Sequence, residues 1–298
     1  MRLSLAPLCL ALVLAGCQRE AVRADAPTAD TPVAAPAPAA TVPADDNLNA
    51  VLWMQTAVEY RANSLQTYRA AIAQLDRALK DKSWDALDPV ERGNPARGLP
   101  PAVIFDVDET VLDNSPYQAR LVQSGGEYNE ALWAAWVNER KATAIPGVLE
   151  FAKAAQARGV ELFFISNRAV DLKPATIDNL RSVGLNVKDD AFLGLGTVVP
   201  ECEQDGSDKN CRRQLIGRKY RVLMQFGDQL GDFVQVAPNT PGNRDAIYDA
   251  HRDWFGQRWW VLSNPSYGSW EPALFDNNYR APRDARRAAK REALRVAH

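Results

Sequence analysis

The chain has 298 residues, of which 46% are hydrophobic and 24% are charged, as in an ordinary soluble globular protein. This length allows one large domain or two small ones. The formal net charge of -2 excludes a strongly basic protein, so the overall charge gives no reason to expect a nucleic acid polymer as a partner.

The first residues have the pattern of an export signal. A positively charged start is followed by an apolar run over residues 3–14, which is too short to span a membrane. Two small residues precede Cys17, and this pattern resembles the bacterial lipobox, in which the cysteine is lipidated. We therefore predict a lipoprotein signal peptide over residues 1–16 and lipidation of Cys17, with an ordinary secretory signal as the alternative. Because Gln18 rather than Asp follows, we expect an outer-membrane lipoprotein whose globular part lies in the periplasm or at the cell surface.

Residues 17–45 are rich in Ala, Pro and Thr and contain few large apolar side chains. Such a composition cannot build a core, so we predict a semi-extended tether. The folded domain is predicted over residues 46–280. It begins with a helix over residues 48–61. An amphipathic helix follows, with apolar residues at spacings of three and four: Leu65, Tyr68, Ile72, Leu75 and Leu79.

From residue 101 onwards, short apolar runs alternate with helical stretches. The apolar runs cover residues 102–105, 161–165, 222–226 and 259–262, and helices are predicted over residues 146–158 and 174–183. Strands separated by helices indicate an α/β fold with a parallel sheet and helices on both faces. In such sheets, functional residues collect at the carboxyl ends of the strands.

Polar side chains that could form a site follow three of these runs. Asp106 and Asp108 follow the first, Ser166 and Asn167 follow the second, and Asp228 and Asp232 follow the third. Two aspartates spaced two apart in an extended chain face the same way, and their repulsion calls for a cation or a shared proton. Hard cations such as Mg²⁺ prefer oxygen ligands, and a carboxylate is a competent nucleophile toward phosphorus. Each motif alone could be a turn or a helix cap, but three at one sheet edge predict a site.

The cysteines support export. Cys9 lies in the predicted signal peptide and Cys17 in the predicted anchor, which leaves Cys202 and Cys211. A nearby pair in an oxidising compartment commonly forms a disulfide, so we predict one that closes the 202–211 loop. A zinc site is a poor alternative, because the chain has two histidines and neither is close in sequence.

Residues 281–298 form a basic C-terminal segment with the composition of a helix. We interpret it as a solvated or frayed tail. Contact with anionic lipid is the alternative.

Several of these segments together resemble the class C acid phosphatases, bacterial lipoproteins with 5'-nucleotidase activity in the haloacid dehalogenase (HAD) superfamily. The resemblance lies in the segments 106–117, 144–147, 164–168 and 227–233, and it extends to 53–60 and 264–271. It implies a Rossmannoid parallel sheet with helices on both faces. It also implies a small helical cap, formed by the N-terminal helices and the insert after the first strand.

The resemblance implies a role for each acidic motif residue. Asp106 would be the nucleophile that forms an aspartyl-phosphate, and Asp108 would act as general acid and then as general base. Mg²⁺ would be held by Asp106, by the backbone carbonyl of Asp108 and by Asp228, with Asp232 near the metal or its waters.

The resemblance also implies phosphate contacts. Ser166 and Asn167 would contact the phosphate from one side. A lysine would contact it from the other side, and we predict Lys209, at the start of a predicted helix. Lys219 is the alternative, although it lies directly before a strand and could simply be solvated.

Substrate recognition would come from aromatic side chains. Trp133 and Tyr267 would stack on the nucleoside base, which tolerates any base. Trp133 could instead pack in the core of a helix over residues 130–140.

These expectations combine into a Mg²⁺-dependent acid phosphatase of the cell envelope that hydrolyses phosphate monoesters, above all 5'-nucleotides. The expected partners are small phosphate esters and the membrane, with a homodimer left open. One alternative is a non-catalytic surface lipoprotein that uses the fold for binding. Another is a nucleotide-sugar transferase that uses the paired aspartates for its metal.

Overall fold

The computed structural model describes residues 45–297. The predicted signal peptide over residues 1–16, the lipidation of Cys17 and nearly all of the predicted tether lie outside the described residues. Within the described part of the chain, no helix is both long enough and apolar enough to cross a membrane.

Helices and strands alternate through most of the chain. The helices are α1 (Leu48–Thr56), α2 (Val58–Lys80), α3 (Ser115–Ser124), α4 (Glu130–Glu139), α5 (Val148–Gln156), α6 (Lys173–Ser182), α7 (Asn210–Gly217), α8 (Pro241–Ala250) and α9 (Arg283–Glu292). The strands are β1 (Pro101–Phe105), β2 (Leu112–Asp113), β3 (Thr143–Ala144), β4 (Glu161–Ala169), β5 (Phe192–Leu195), β6 (Arg221–Gly227) and β7 (Trp259–Val261).

A parallel sheet in the order β5-β4-β1-β6-β7 forms the centre of the fold. Strand β1 is buried in the middle, where Phe105 lies beside Phe164 of β4 and Phe226 of β6. The carboxyl ends of these three strands therefore meet at one edge. The predicted α/β fold with a parallel sheet is confirmed, and all four predicted strands are present.

Strand β5 was not predicted. It is a short strand at the edge of the sheet, and Gly194 interrupts its apolar pattern. A Cβ at this glycine would lie 2.9 Å from the backbone oxygen of Arg168, so the close approach of β5 to β4 requires glycine there.

Stacked aromatic rings fix the ends of the central strands. The ring centroid of Phe105 lies 4.9 Å from that of Phe226 and 5.5 Å from that of Phe164, with nearly parallel planes. Phe151 of α5 packs edge-on against Phe105 and Phe226. Because such rings interdigitate closely, replacing one by alanine typically costs about 3–5 kcal/mol. The residues that follow these strands are thus attached to a rigid base.

Helix α2 packs on the same face of the sheet. The ring of Tyr68 stacks on Phe226 at 5.1 Å, and its hydroxyl donates to the backbone oxygen of Thr110 at 2.7 Å. The helix predicted over residues 48–61 ends earlier, at Thr56, because the backbone of Ala57 is extended and separates α1 from α2.

The insert between β1 and β4 contains α3 and α4 together with a small antiparallel pair, β2 and β3. Helix α1 packs against α3, so the N-terminal helices and the insert lie together as expected for the cap. The sulfur atoms of Cys202 and Cys211 are bonded, which ties the loop before α7 to that helix.

Residues 283–292 form helix α9, which is solvated, as interpreted from the sequence, but is ordered by ion pairs rather than frayed. Its cations pair with acidic groups at the start of the described chain, in the α3–α4 loop and near residue 271: Arg283 with Asp45, Arg287 with Asp46, Arg286 with Glu127, and Lys290 with Glu271 and Asp46. These contacts hold the helix through charge, since none of its residues is buried.

Deleting residues 282–298 is expected to lower the melting temperature at low ionic strength and to have little effect at high salt. Exposed ion pairs contribute roughly 0–1 kcal/mol each to the free energy of unfolding and are screened by salt. A loss of about 1 kcal/mol lowers the melting temperature of a domain of this size by about 2–4 °C. Thermal unfolding at two salt concentrations measures this. Arg291→Gln with Arg295→Gln is the control, because neither arginine forms an ion pair among the described residues. An unchanged melting temperature at low salt after the deletion would contradict the role of these contacts.

Candidate functional site

Three aspartates converge at the carboxyl edge of the sheet. Asp106 directly follows β1, Asp228 directly follows β6, and Asp232 lies in the turn after it. One carboxylate oxygen of each aspartate lies within 4.8 Å of the corresponding oxygens of the other two. The structure therefore brings together three of the acidic residues that the sequence predicted for one site.

The turn after β6 places Asp232 directly over Gly227. A Cβ at this glycine would collide with the Asp232 side chain, so only glycine permits the approach. The carboxylate of Asp232 accepts a hydrogen bond from the backbone N–H of Gln229 at 2.9 Å, which holds it over the glycine.

Lys209 is the cation that contacts these carboxylates. Its Nζ binds Asp106 Oδ1 and lies 2.7 Å from Asp232 Oδ1, and its side chain is buried. Lys219 is exposed at the far end of α7. The structure thus places Lys209, rather than Lys219, beside the candidate nucleophile.

Helix α7 is anchored so that Lys209 reaches the site. Arg212 is fully buried and donates to the backbone oxygen of Ser166 at 2.6 Å and to Asn167 Oδ1 at 2.7 Å. Asn167 is exposed and, like Ser166, lies in the last part of β4, where its side-chain oxygen accepts this hydrogen bond. The disulfide at Cys211 fixes the same helix to the preceding loop.

A buried ion pair holds the turn that carries Asp232. Arg213 binds Glu91 through two hydrogen bonds of 2.6 Å and donates to the backbone oxygens of Gly231 and Asp232. This pair was not predicted from the sequence, because Glu91 lies in an irregular segment far from the acidic motifs that follow the strands.

Burial and mutual repulsion make these carboxylates hard to ionise. Burial, together with the nearby charges of Asp232 and Asp108, raises the pKa of Asp106 to about 7 despite the opposing effect of Lys209. Burial has the largest effect on Asp228, and together with the negative charges of Asp232 and Asp106 it raises the pKa of Asp228 well above its usual range. Burial disfavours the charged form of Lys209, but Asp106 and Asp232 raise its pKa, so the lysine remains positively charged.

The donor set fits a hard divalent cation. Within residues 45–297, Lys209 and Arg168 are the only cations paired with the acidic groups of this site. Asp228 has no cationic partner there and is bound by the side-chain amide of Asn264 at 2.7 Å. A cation bound to these oxygens would offset the repulsion that raises the pKa values of Asp106 and Asp228.

Asp108 points to a different set of partners from Asp106. Its carboxylate is paired with Arg168 at 2.8 Å, accepts from Asn114 Nδ2 at 2.9 Å and accepts from Ser166 Oγ at 3.2 Å. The side chain of Ser166 is fully buried and also accepts from the backbone N–H of Arg168 at 3.0 Å. The paired aspartates are thus separated, with one contacting Lys209 and the other contacting Arg168.

The predicted stacking residues lie beside this network and remain partly exposed. Trp133 packs edge-on against Tyr117 at 5.1 Å, and the guanidinium of Arg168 lies over its ring at 5.4 Å. Trp133 also packs against the hydrophobic core. Trp136 of the same helix is buried within that core and donates to Asn114 Oδ1 at 2.8 Å.

Glu109 is a site residue that the sequence analysis did not single out. It is buried with a positive φ of 56°, and its carboxyl group accepts hydrogen bonds from the Tyr267 hydroxyl and from the backbone N–H of Asn114. Burial and the charge of Asp108 raise its pKa to about 8. Its position within the acidic motif was a signal, but its contact with Tyr267 spans 158 residues and could not be read from the sequence.

Comparison with known proteins gives a family and a fold. The family described as HAD superfamily, subfamily IIIB (acid phosphatase), matches residues 19–270. The class C acid phosphatase from Bacillus anthracis has a similar structure, with 32% identity and a TM-score of 0.73. The match covers 85% of this chain and 98% of that one. A second structure of that protein has tungstate bound.

Plant proteins are also similar to this chain. The stem 31 kDa glycoprotein of Glycine max is 30% identical over 132 residues, which is 44% of this chain and 51% of that protein. Vegetative storage protein 1 of Arabidopsis thaliana is 28% identical over 140 residues, or 47% and 50% of the two chains. The chain thus spans about half the length of these curated relatives.

Replacing Glu109 by Gln is expected to remove a pH dependence of stability. The pKa of Glu109 is raised from 4.5 to about 8. Between these two pH values, Glu109 is protonated in the folded protein and ionised in the unfolded chain. Its contribution is therefore full below the unfolded pKa and is lost as the pH rises through the folded pKa. Melting temperatures of the wild type and Glu109→Gln, both in chelator, measure this. An equal decline in the melting temperatures of both proteins between the unfolded and the folded pKa of Glu109 would contradict the raised pKa of this residue.

Proposed function

Because the chain belongs to subfamily IIIB of the HAD superfamily, the acid phosphatases, we propose that it is a Mg²⁺-dependent phosphomonoesterase. Its proposed substrates are 5'-nucleotides, and its proposed location is the cell envelope, through a lipid anchor at Cys17. The observation that carries the activity is the contact of a buried lysine, Lys209, with the candidate nucleophile, Asp106.

Asp106 is placed to attack phosphorus. One of its carboxylate oxygens contacts Lys209 Nζ and the other accepts from Thr110 Oγ1 at 3.2 Å. A phosphoryl group next to this carboxylate would contact the ammonium of Lys209, which offsets negative charge as the new bond forms. The bond between an Asp106 oxygen and phosphorus forms while the bond from phosphorus to the leaving oxygen breaks, which yields an aspartyl-phosphate.

Asp108 supplies the proton transfers in this proposal. It gives a proton to the leaving oxygen in the first step and takes a proton from water in the second, when water attacks phosphorus and Asp106 is released. Asp108 suits this role because its side chain is 17% exposed while that of Asp106 is 6% exposed. The leaving group and the water can therefore reach it.

A divalent cation completes the charge balance. Asp106, Asp228 and the backbone carbonyl of Asp108 would hold Mg²⁺, with Asp232 nearby, and the ion would neutralise charge on the phosphate and the carboxylates. The raised pKa values of Asp106 and Asp228 support this, because the nucleophile must be ionised to react.

The aromatic residues support nucleotides as substrates. Trp133 and Tyr267 are each partly exposed, and each is attached to the acidic motif, one through Arg168 and the other through Glu109. Stacking on an aromatic face is tolerant of the base, so several nucleoside monophosphates are expected to react. Tungstate, the oxyanion bound by the Bacillus anthracis protein, has a tetrahedral shape like phosphate and supports a phosphate ester as the substrate class.

A non-catalytic binding or storage role is the alternative, favoured by the name of the Arabidopsis relative. The buried carboxylates count against it, since groups with strongly perturbed pKa values cluster at sites of chemistry. The other alternative is a nucleotide-sugar transferase, for which no covalent phosphate on Asp106 is expected.

The wild type is expected to hydrolyse p-nitrophenyl phosphate and nucleoside monophosphates with Mg²⁺, and to lose this activity in chelator. Asp106→Asn is expected to lower kcat by at least about 10⁴-fold, because the covalent nucleophile is removed. Steady-state release of phosphate measures both effects, and substrate profiling against sugar phosphates tests the nucleotide preference. Asp178→Asn, which removes an exposed carboxylate paired with Arg140, is the control. Absence of Mg²⁺-dependent turnover in the wild type would refute the proposal.

Lys209→Met is expected to weaken inhibition by inorganic phosphate and to lower kcat/KM by roughly 10²–10³-fold, as for loss of one preorganised oxyanion donor. Lys219→Met is the matched control and is expected to behave like the wild type, since Lys219 is exposed. Competition assays with phosphate measure the binding directly. Equal effects of the two substitutions would show that Lys209 does not contact the phosphate.

A further inference from the structure

Arg168 binds Asp108 through two of its nitrogen atoms. Its Nε and Nη2 lie 3.0 Å and 2.8 Å from Asp108 Oδ1, and Nε lies 3.4 Å from Oδ2. The side chain of Arg168 is 1% exposed, so this contact is shielded from water on the arginine side. A buried guanidinium fork fixes the direction of a carboxylate as well as its distance.

The guanidinium group is itself held in place. It donates to Thr176 Oγ1 and to Asn114 Oδ1, both at 3.3 Å, and it lies over the ring of Trp133. The hydroxyl of Thr176 donates to the backbone oxygen of Leu172 at 2.9 Å, which leaves its lone pairs for the arginine. Arg168 therefore has little freedom to turn away from Asp108.

The two oxygens of Asp108 are bound unequally. Oδ1 accepts from Arg168 Nε, Arg168 Nη2 and Asn114 Nδ2, all at 3.0 Å or less. Oδ2 has Ser166 Oγ at 3.2 Å and the longer contact with Arg168 Nε. Arg168 and Asn114 therefore hold Oδ1, and Oδ2 is the less tightly bound oxygen that can face the leaving group.

We propose that Arg168 is a positioning residue that holds Oδ1 of Asp108 and so directs Oδ2 toward the leaving oxygen. This inference rests on the proposed role of Asp108 as general acid. In the first step, the bond from Asp106 to phosphorus forms, the bond to the leaving oxygen breaks, and the proton on Oδ2 passes to that oxygen. In the second step, the bond from water to phosphorus forms, the bond from phosphorus to Asp106 breaks, and Oδ2 takes a proton from the attacking water.

Leaving groups of different basicity test this positioning. Phenolate is a strong base and requires a proton as it leaves, whereas 2,4-dinitrophenolate is a weak base and leaves without one. Loss of a positioned general acid therefore slows phenyl phosphate and spares 2,4-dinitrophenyl phosphate. A residue that only supports the fold, or only binds phosphate, would affect both esters alike.

The experiment measures kcat and KM for both esters in the wild type, Arg168→Gln and Arg168→Lys with saturating Mg²⁺. The expected loss of kcat/KM for phenyl phosphate is about 10²-fold, the low end of what general acid catalysis contributes, with a much smaller loss for the dinitrophenyl ester. Arg168→Lys keeps the charge without the fork and is expected to show the same pattern. It also provides a folded variant if the glutamine substitution prevents folding.

Arg120→Gln is the matched control. Arg120 binds Glu139 through both terminal nitrogens and lies over the ring of Trp136 at 5.1 Å, so it repeats the arrangement of Arg168 at a more exposed position. It contacts neither Asp108 nor the other acidic motif residues, and its substitution is expected to leave both esters unaffected.

Equal losses for the two esters in the Arg168 variants, or no loss, would overturn the inference. Asp108→Asn in the same assay distinguishes the positioning role of Arg168 from the general acid role of Asp108. If Asp108→Asn discriminates between the esters and the Arg168 variants do not, only the role of Arg168 is wrong. If Asp108→Asn does not discriminate either, the proposed general acid role of Asp108 is wrong as well.

Discussion

Repulsion among buried carboxylates is the constraint on which the site depends. Parallel strands bring Asp106, Asp228 and Asp232 to one sheet edge, where one carboxylate oxygen of each lies within 4.8 Å of the other two. In a buried setting such charges can persist only when cations or hydrogen bonds offset them. Lys209 offsets part of this charge through Asp106 and Asp232, and the remaining demand is what a divalent cation would meet.

The scaffold around the site holds these opposed charges in place. Below the strand ends, stacked phenylalanine rings keep the three central strands together. Beside them, Arg212 and Arg213 are buried and tie helix α7 to Ser166 of β4 and to the turn of Asp232. Arg213 is also paired with the buried Glu91. Removing one partner of such a buried ion pair is typically costly, because it leaves an uncompensated charge in a nonpolar setting.

The sequence was sufficient for four of the five strands of the parallel sheet and for the main acidic residues, because both depend on local patterns. Alternating apolar runs predicted four strands, and each polar motif directly followed a run. The remaining features depend on contacts between distant segments. The apolar run of strand β5 is interrupted by Gly194, which the close approach of β4 requires. Neither the bond from Tyr267 to Glu109 nor the pair of Arg213 with Glu91 has a local signature. The ion pairs of α9 likewise required the fold, since composition alone indicated only a basic helix.

The proposed mechanism requires the phosphoryl group to pass through Asp106. Rapid acid quenching of the enzyme during turnover of a phosphate ester, followed by mass spectrometry of the proteolytic peptides, detects this intermediate. We expect phosphate on the peptide that contains Asp106, located at that residue, and none in Asp106→Asn. Steady turnover with no phosphate on any carboxylate, or with phosphate on a different residue, would contradict it.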